Sequence, residues 1–545
     1  MNTEQDTTAP PSPDAASALA APSRPPWVTD ELIGRWCAWV HRDEARREPP
    51  PAPPLTALAP FDLAPIAPVP SCTPQDVDSA VAAAAAAQRR WARTPVARRG
   101  EIVLAFHDLL LERQHQVLDL IQWETGKARY HAWMEIAQVA TIARHYARRA
   151  GRHLAPRRVR GMVPGLTRVT QLRVPRGVVG IVSPWNYPLY LGVGDVLPAL
   201  LAGNGVVSKA DPQAALTLLW TRALLHEAGL PTELWQIVAG DGPTVGNALV
   251  DAVDFVCFTG STATGRTVAE RAARRLIGAS LELGGKNPLI VREDADVVAA
   301  AAGTAVAAFT NTGQMCIHVE RVYVHENVYD AFRAELVRVT ESLRLGNAYD
   351  YTCDLGSLVS AARLAAVGAH VEDAVAKGAT VLTGGRARPD VGPLFYAPTV
   401  LEGVTPEMDV CAKETFGPVV SLYPYGTDDE AVALANAGTY GLSASIWSRN
   451  TREAARLAAR VRAGSVNVND GAAAAAGSVE AEMGGMGDSG LGRRHGAEGI
   501  RKYTEAQTLA VQRLLPLGPP PGQSALRFVR TTNRQLALLR RLRVR

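Results

Sequence analysis

Short apolar runs alternate with helical segments through the middle of the chain. The runs are rich in β-branched residues and cover residues 177–182, 205–208, 234–238 and 255–258. Runs of this length and composition are typical of buried strands in a parallel sheet. Strands that alternate with helices at this spacing predict an α/β fold of the dinucleotide-binding kind. A second series of the same kind covers about 289–481.

Helical patterns precede these strands. A hydroxyl cap at Thr73 begins a predicted helix that continues to Arg93. Two further helices are expected over residues 98–125 and 132–151. Residues 156–175 then alternate loosely and contain Pro, Gly, Val and Thr, which indicates strands in an arm.

The N-terminal extension, residues 1–55, has a different texture. Residues 1–26 are rich in Ala, Pro, Ser and Thr, a composition typical of disorder, and residues 27–47 have a short helical pattern. The proline run at 49–54 is interpreted as a stiff linker in preference to a recognition motif for a partner domain.

The C-terminal tail, residues 515–545, is basic. From Arg527 onward it contains seven arginines and no acidic residue, whereas the rest of the chain is slightly acidic. Five further positions fall near helical spacing: Phe528, Thr532, Leu536, Leu539 and Leu542. Such a helix could touch anionic lipid, dock on a neighbouring subunit or fray in solvent, and the last two are favoured. A near-neutral body argues against a nucleic-acid partner.

Length and cysteine content further narrow the class of protein to which this chain can belong. A chain of 545 residues exceeds one ordinary hydrophobic core and predicts two or three domains. Its six cysteines include no Cys-x-x-Cys pair, so neither a disulfide framework nor a metal site is expected. The first residues lack a basic region followed by an apolar run, so no secretory signal is expected and the cytoplasm is the expected compartment.

Four segments carry candidate chemistry. Residues 258–265 place glycines and hydroxyl groups between a strand and a helix, where backbone amides can approach a pyrophosphate. Residues 183–188 lie beyond the carboxyl end of a buried strand, where α/β sheets bind ligands. Residues 281–288 put Glu282 in an apolar run beside glycines. Residues 311–316 end in a cysteine at an expected loop-to-helix junction, where a helix N-terminus favours the thiolate.

Together these segments resemble the aldehyde dehydrogenase superfamily. Glu282 and Cys316 are 34 residues apart, a spacing that resembles the family's base and nucleophile. Residues 414–419 resemble its nicotinamide-site motif, and residues 486–493 resemble its glycine-rich C-terminal segment. The resemblance covers about residues 73–509 and is nearest to the bacterial NADP-type succinate-semialdehyde dehydrogenases.

The resemblance implies a catalytic mechanism. Cys316 would attack the aldehyde carbon, and the Asn186 side-chain amide and the Cys316 backbone N–H would hold the oxyanion. Glu282, with a pKa raised by its apolar neighbours, would activate the water that hydrolyses the thioester. Glu282 argues against a CoA-acylating relative, and the complete set argues against a catalytically silent binding or structural protein on the same fold.

The resemblance also implies a site for NADP or NAD. The residues expected to hold the cofactor are Trp185, Lys209, Gly260, Ser261, Glu414 and Phe416. Lys209 and Glu414 would bind ribose hydroxyls, and Gly260 would lie at the pyrophosphate. Members that prefer NAD commonly have a glutamate where this chain has Pro212, with Asp211 one position earlier. NADP or dual use is therefore favoured.

Departures from the family pattern bear on the substrate. Many succinate-semialdehyde dehydrogenases carry two arginines that clamp the distal carboxylate, and this chain has Gly194 and Thr310 at those positions. Succinate semialdehyde is the first expected substrate, with neutral aliphatic or aromatic aldehydes as the alternative. His318 stands where redox-regulated relatives have a second cysteine, so a disulfide switch is not expected.

The resemblance further implies a domain arrangement. A Rossmann-like cofactor domain would comprise residues 56–155 and 176–284, and an α/β catalytic domain would comprise residues 285–485. Residues 156–175 and 486–514 would form a β-strand oligomerisation arm. Such an arm leaves unpaired strand edges unless another chain covers them, so a homodimer or homotetramer is expected.

Overall fold

The computed structural model describes residues 24–42, 53–161, 167–512 and 518–542. The first half contains, in chain order, α1 (Asp30–Cys37), α2 (Pro74–Trp91), α3 (Val96–Glu112), α4 (Gln114–Thr125), α5 (Arg129–His153), β1 (Arg157–Arg160), β2 (Thr167–Pro175), β3 (Val178–Val182), α6 (Pro188–Val193), α7 (Val196–Leu201), β4 (Gly205–Ala210), α8 (Ala215–Glu227), β5 (Trp235–Ala239), α9 (Asn247–Ala252), β6 (Phe255–Thr259), α10 (Thr262–Arg274) and β7 (Gly278–Glu282).

The second half continues with β8 (Asn287–Val291), α11 (Val297–Phe309), β9 (Val319–His325), α12 (Tyr329–Glu341), α13 (Ala361–Ala376), β10 (Thr380–Thr383), β11 (Thr399–Glu402), α14 (Asp409–Ala412), β12 (Val419–Tyr425), α15 (Asp428–Ala435), β13 (Ser443–Trp447), α16 (Thr451–Ala458), β14 (Ser465–Val468), α17 (Ala473–Ala476), β15 (Gly490–Leu491), α18 (Glu498–Arg501), β16 (Thr504–Gln512) and α19 (Ala525–Arg541).

A six-stranded sheet carries the dinucleotide-binding pattern. Its order is β15-β7-β6-β3-β4-β5, and the strands are parallel except for β15. Every residue of β4 and β5 is buried, as their β-branched composition predicts. Val182 pairs with Lys209, and Thr259 pairs with Glu282, so the carboxyl ends of these strands lie along one edge. The predicted α/β fold is confirmed.

A seven-stranded sheet follows in the chain. Its order is β10-β11-β12-β9-β8-β13-β14, and only β10 runs antiparallel to its neighbour. Alanines of α11 pack with Phe332 of α12 and with β8 and β9 in one apolar cluster. The segment between α11 and β9 therefore leaves a rigid helix and enters a central strand of this sheet.

A three-stranded antiparallel sheet, β1-β2-β16, forms the arm. The strands predicted in residues 156–175 are present as β1 and β2. In β16 only Thr504 is buried, and the other eight residues are exposed, including Leu509 and Val511. An apolar edge strand of this length lies open to solvent in the isolated chain.

Three predictions about element bounds are corrected. The helix expected over 27–47 ends at Cys37, because Val40 forms a parallel bridge with Ile237 of β5. The helix expected over 98–125 breaks at Arg113 into α3 and α4, and α4 packs against both α5 and α8. Residues 490–491, assigned to the arm, pair with β7 in the six-stranded sheet.

The ends of the chain are described in part. Disorder was expected for residues 1–26, and of these 1–23 lie outside the described residues, as does most of the proline run. The predicted C-terminal helix is α19, which begins after the cap residue Ser524. No helix among the described residues is long and apolar enough to cross a membrane.

Candidate active site

Cys316 lies in a turn between α11 and β9. The turn begins with three left-handed residues, Asn311 and Thr312 at φ 54° and Gly313 at φ 69°. Such backbone is strained for residues other than glycine, and strain of this kind concentrates at functional sites. A Cβ on Gly313 would lie 2.0 Å from the Gly417 carbonyl oxygen, so the turn packs directly on the 414–419 segment.

The expected helix N-terminus at Cys316 is wrong. A strand, β9, follows the turn, so no helix dipole stabilises the thiolate. Burial raises the pKa of the Cys316 thiol to about 12, and the nearby carboxylates Glu282 and Glu414 add to the rise. The thiol therefore needs a base to take its proton before it can act as a nucleophile.

Glu282 is the last residue of β7, at the carboxyl edge of the six-stranded sheet. It is 4% exposed, and within the described residues its Oε1 has no hydrogen-bond partner. Burial raises the pKa of Glu282 to about 7, and the positive charges of Arg494 and Lys502 limit the rise. A carboxyl with this pKa can take and return protons near neutral pH, as the sequence predicted from its apolar neighbours.

Asn186 follows β3 and is held from two sides. Lys127, fully buried, donates hydrogen bonds to the Asn186 carbonyl oxygen at 2.7 Å and to Glu135 at 2.5 Å. The Asn186 side-chain nitrogen donates to the Gln314 carbonyl in the cysteine turn at 3.0 Å. Its Oδ1 is buried and has no partner in the described part of the chain. Among the described residues the side-chain nitrogen makes only the hydrogen bond to Gln314, so the amide is fixed with a second N–H left to donate to a ligand oxygen.

Two cavities meet at these three side chains. Asn186, Glu282 and Cys316 line a cavity of about 970 Å³ and also a second cavity of about 820 Å³. We call the larger one the substrate cavity and the smaller one the cofactor cavity. A reacting carbon at their junction would contact the thiol, the acid and the amide together.

The cofactor cavity collects most of the residues expected to hold a dinucleotide. Its wall includes Trp185, Gly260, Ser261, Glu414 and Phe416. Lys209 is not among its lining residues. It is the second-last residue of β4, is 6% exposed and donates to the Ala210 carbonyl. The wall is therefore built from all four segments that the sequence singled out, together with Arg363 and the 414–416 loop.

The cofactor cavity fits a nicotinamide dinucleotide chemically. Ser261 caps α10, so the free N–H groups of that helix start lie beside the wall and suit a pyrophosphate. A Cβ on Gly284 would lie 2.5 Å from a Glu414 oxygen, so a side chain at position 284 would clash with that carboxylate in its present position. The Glu414 carboxylate can accept from ribose hydroxyls, and the Phe416 ring can pack on a nicotinamide.

The 414–416 loop is anchored by a residue that the sequence reading missed. Glu320 accepts hydrogen bonds from the Thr415 backbone N–H at 3.0 Å, and it pairs with Lys286 and with His318 at 2.9 Å. Burial alone would raise the pKa of Glu320, but Lys286 and His318 hold it well below its usual range. An anion fixed in this way explains how Phe416 keeps its left-handed backbone at φ 51°.

Arg363 was also missed. It lines the cofactor cavity, and its guanidinium lies over the Phe416 ring, 5.6 Å from the ring centroid. The residue lies in the first turn of α13, 47 positions after Cys316, and no local motif marks it. Only the packing of α13 against the 414–419 loop brings it to the site.

The substrate cavity is mostly apolar. The side chains that give it this character are Met134, Leu191, Val306, Ile317 and Met483, together with several alanines. Its acidic residues are Glu135, Glu282 and Asp470, and among the described residues that line it Arg494 is the one cation.

Arg494 is already paired. Its Nε donates to Asp195 at 2.9 Å, and its terminal nitrogen bonds the same carboxylate at 2.7 Å and also Thr259. Asp195 accepts from Lys502 as well, so two cations share one buried acid. Two cations and one acid leave this buried cluster one surplus positive charge, but the Arg494 nitrogens that form these hydrogen bonds are engaged by Asp195 and Thr259.

The two positions without arginine have distinct surroundings. A Cβ on Gly194 would lie 2.7 Å from the Tyr190 carbonyl oxygen, so a side chain there would press on the backbone of α6. Thr310 lines the substrate cavity, and its hydroxyl donates to the Val306 carbonyl at 2.7 Å. Neither position supplies a cation.

The two histidines near the motifs are buried. His318 pairs with Glu320, and His495 lies 3.3 Å from the Tyr190 hydroxyl. Burial lowers the pKa of His495 to about 4. Neither histidine lines the substrate cavity or the cofactor cavity.

Comparison with known proteins gives one consistent result. The aldehyde dehydrogenase family model matches residues 50–509. A Mycolicibacterium smegmatis protein named "Putative succinate-semialdehyde dehydrogenase [NADP(+)]" is 52% identical over 456 residues, covering 84% of this chain and 88% of that protein.

Solved structures agree with that match. An NAD-dependent aldehyde dehydrogenase from Sinorhizobium meliloti has a TM-score of 0.81 at 36% identity, with 85% of this chain and 92% of that chain covered. An NADP-dependent enzyme of E. coli has a TM-score of 0.81 at 31% identity, with 84% and 95% covered. The cysteine turn, the buried glutamate and the two cavities therefore stand on a known framework, and this chain belongs to the aldehyde dehydrogenase family.

Proposed function

We propose that this enzyme oxidises an aldehyde to its carboxylic acid through a covalent bond to Cys316, with NADP as the favoured cofactor. The observation that carries the proposal is the junction of the two cavities at Asn186, Glu282 and Cys316. Aldehyde and cofactor can approach one thiol from opposite sides there. Each of the three side chains then has a defined role in the reaction.

The first step is addition of the thiol to the carbonyl. Glu282 takes the thiol proton, Cys316 Sγ forms a bond to the aldehyde carbon, and the π electron pair moves to oxygen. The Asn186 amide and the Cys316 backbone N–H hold that oxygen, and a donor of this kind is worth about 3–4 kcal/mol in comparable oxyanion holes. The low dielectric of this site strengthens both hydrogen bonds.

The second step is hydrolysis of a thioester. Bound NAD(P)⁺ supplies the acceptor for the hydride that leaves the thiohemiacetal carbon. Glu282 first releases the thiol proton to solvent and then removes a proton from water. The water oxygen bonds the thioester carbon, and Cys316 leaves as thiolate. The pKa of Glu282, raised to about 7 by burial, suits both proton transfers.

Steady-state assays with a panel of aldehydes test this proposal. Cys316→Ala should lower kcat by at least about a thousandfold, because a missing nucleophile removes the covalent route. Cys411→Ala, a change to a half-buried thiol outside both cavity walls, is the matched control and should leave turnover near wild type. Substantial turnover in Cys316→Ala would refute the covalent mechanism.

The preference for NADP has two supports. The relatives from M. smegmatis and E. coli carry NADP in their names. In this chain Pro212 starts a short turn, and the Asp211 carboxylate accepts from the Gln213 N–H at 3.0 Å, so that acid is engaged locally. Pro212→Glu should lower kcat/KM with NADP about tenfold or more, because a carboxylate there would repel a 2′-phosphate. Unchanged use of both cofactors would contradict this role for position 212.

Two substrate classes are proposed. The name of the M. smegmatis relative supports succinate semialdehyde. The apolar wall of the substrate cavity, whose single cation Arg494 is bound to Asp195, supports neutral aldehydes with an apolar chain. The ratio of kcat/KM for succinate semialdehyde and for its methyl ester separates the two, because these compounds differ in charge at one end.

We further propose a homodimer or homotetramer in the cytoplasm. The exposed apolar edge of β16 supports association of chains, since another copy would cover it. All six cysteines are free thiols, which is typical of a reducing compartment.

A further inference from the structure

Helix α19 stands apart from the enzyme body. It runs over Ala525–Arg541, and none of its side chains is buried. Residues 518–524, which are exposed or half-buried, precede it in the described chain. Ser524 caps its first turn, accepting from the Arg527 N–H at 3.4 Å. A helix of 17 residues with a cap but no buried side chain needs another surface to cover its apolar side.

One side of α19 carries four of the five arginines of the helix, with Leu538 among them. Arg527, Arg534 and Arg541 are seven residues apart, two helical turns each, so they lie in one row. Arg530 projects from the same side, one turn from Arg527 and from Arg534. The helix contains no acidic residue that could neutralise this row.

The opposite side of α19 is apolar. Val529 lies two positions after Arg527, a rotation of about 200° around the helix. Leu536 lies seven positions after Val529 and shares its side, and Phe528 and Leu539 flank that row. Val529 is 49% exposed and Leu536 is 56% exposed. Most apolar and cationic residues therefore occupy separate faces of the helix, and the exceptions are Leu538 on the arginine side and Arg540 on the apolar side.

We propose that α19 binds flat on the surface of an anionic lipid bilayer and tethers the enzyme there. Its apolar row would enter the boundary between headgroups and acyl chains, and its arginines would reach anionic headgroups with their aliphatic stems against the lipid. Five arginines exclude a spanning orientation, in agreement with the finding that no described helix can cross a membrane.

Charge complementarity favours lipid over a second copy of the chain. A helix that docks on a subunit usually balances its solvent-facing side with both signs of charge. Here the arginine face has Thr531, Gln535 and Leu538 beside the arginines and no acidic residue. That face gains most beside a surface of uniform negative charge.

Vesicle co-sedimentation of the full chain tests the proposal. We expect binding to vesicles of phosphatidylcholine with roughly 30% phosphatidylglycerol at about 0.15 M salt, and little binding to pure phosphatidylcholine. Val529→Ser/Leu536→Ser and Arg527→Gln/Arg534→Gln should each lower the partition coefficient about tenfold or more. Leu276→Ser/Val375→Ser removes two exposed apolar side chains elsewhere and should bind like wild type.

Aldehyde oxidation in solution monitors folding of all variants, because α19 touches neither cavity wall. Failure of the wild type to sediment with anionic vesicles would overturn the proposal, as would undiminished binding by both α19 double variants. A fall in oligomer mass of the Val529→Ser/Leu536→Ser variant by lipid-free light scattering, with unchanged vesicle binding, would also overturn it and show that α19 covers a second copy.

Discussion

At the residue scale, the chemistry depends on one buried thiol and one buried acid. Burial raises the pKa of Cys316 to about 12 and that of Glu282 to about 7, so both groups are protonated in mildly acidic solution. The negative charge of each opposes ionisation of the other. The negative charge is easier to place on Glu282, where Arg494 and Lys502 lie nearby. The acid therefore has to lose its proton before the thiol can react.

This order predicts the pH dependence of the reaction. Because the pKa of Glu282 is raised, the basic form is scarce below pH 7 and grows as pH rises through about 7. We expect kcat/KM to rise from about pH 6 to about pH 8 in the wild type. In Glu282→Gln this rise should vanish and kcat should fall about a hundredfold or more. The measurement is a pH–rate profile at saturating cofactor.

Glu341→Gln provides the control for that profile. Glu341 is an exposed acid at the end of α12, outside both cavity walls. Its substitution should leave the rise in kcat/KM in place. An unaltered profile in Glu282→Gln would show that another group is the base.

At the element scale, α11 supplies both the rigid approach to the cysteine turn and part of the substrate wall. Val306 lines the substrate cavity and is 65% exposed, so it lies at the mouth. Val298, two turns earlier on the same helix, is 61% exposed and lies outside the wall. The two valines therefore have similar exposure on the same helix, and only Val306 lines the substrate cavity.

Helix α11 thus offers a direct test of the substrate class. Val306→Arg places a guanidinium at the cavity mouth, where it can pair with a distal carboxylate. We expect kcat/KM for succinate semialdehyde, relative to its methyl ester, to rise about tenfold in Val306→Arg and to stay constant in Val298→Arg. If the wild type already prefers the acid and Val306→Arg changes nothing, a cation elsewhere holds the carboxylate.

At the scale of the whole molecule, the arm leaves backbone groups and apolar side chains of its edge strand β16 exposed to solvent. Eight consecutive residues of β16 are exposed, and Leu509 and Val511 present apolar side chains on that edge strand. Burial of this edge against another copy would pair its backbone groups and remove apolar surface from water. Association through the arm is the arrangement that this sheet favours.

We therefore expect light scattering to give a dimer or tetramer for the wild type. Leu509→Glu/Val511→Glu should reduce the assembly to a smaller mass, because charges would be buried without partners. Leu276→Glu, on a side chain that is 94% exposed in a loop, should leave the mass unchanged. A monomeric wild type would contradict the role assigned to the arm.

The sequence by itself determined the elements and the chemical groups. The buried runs of β3 to β6 predicted a parallel sheet because apolar β-branched residues in short runs have few other stable arrangements. Asn186, Glu282 and Cys316 were identified from motifs, and the raised pKa of Glu282 was predicted from its apolar neighbours.

Only the tertiary structure decided the contacts between distant segments. The sequence could not show that a strand follows Cys316 or that Glu320 anchors the 414–416 loop. It also could not show that the Arg494 guanidinium forms an ion pair with Asp195. Glu320 and Thr415 are 95 residues apart in the sequence, and Asp195 and Arg494 are 299 residues apart, so no local sequence pattern predicts either contact. Hydrogen bonds and charges act over a few ångströms in space, and the fold alone determines which groups come within that distance.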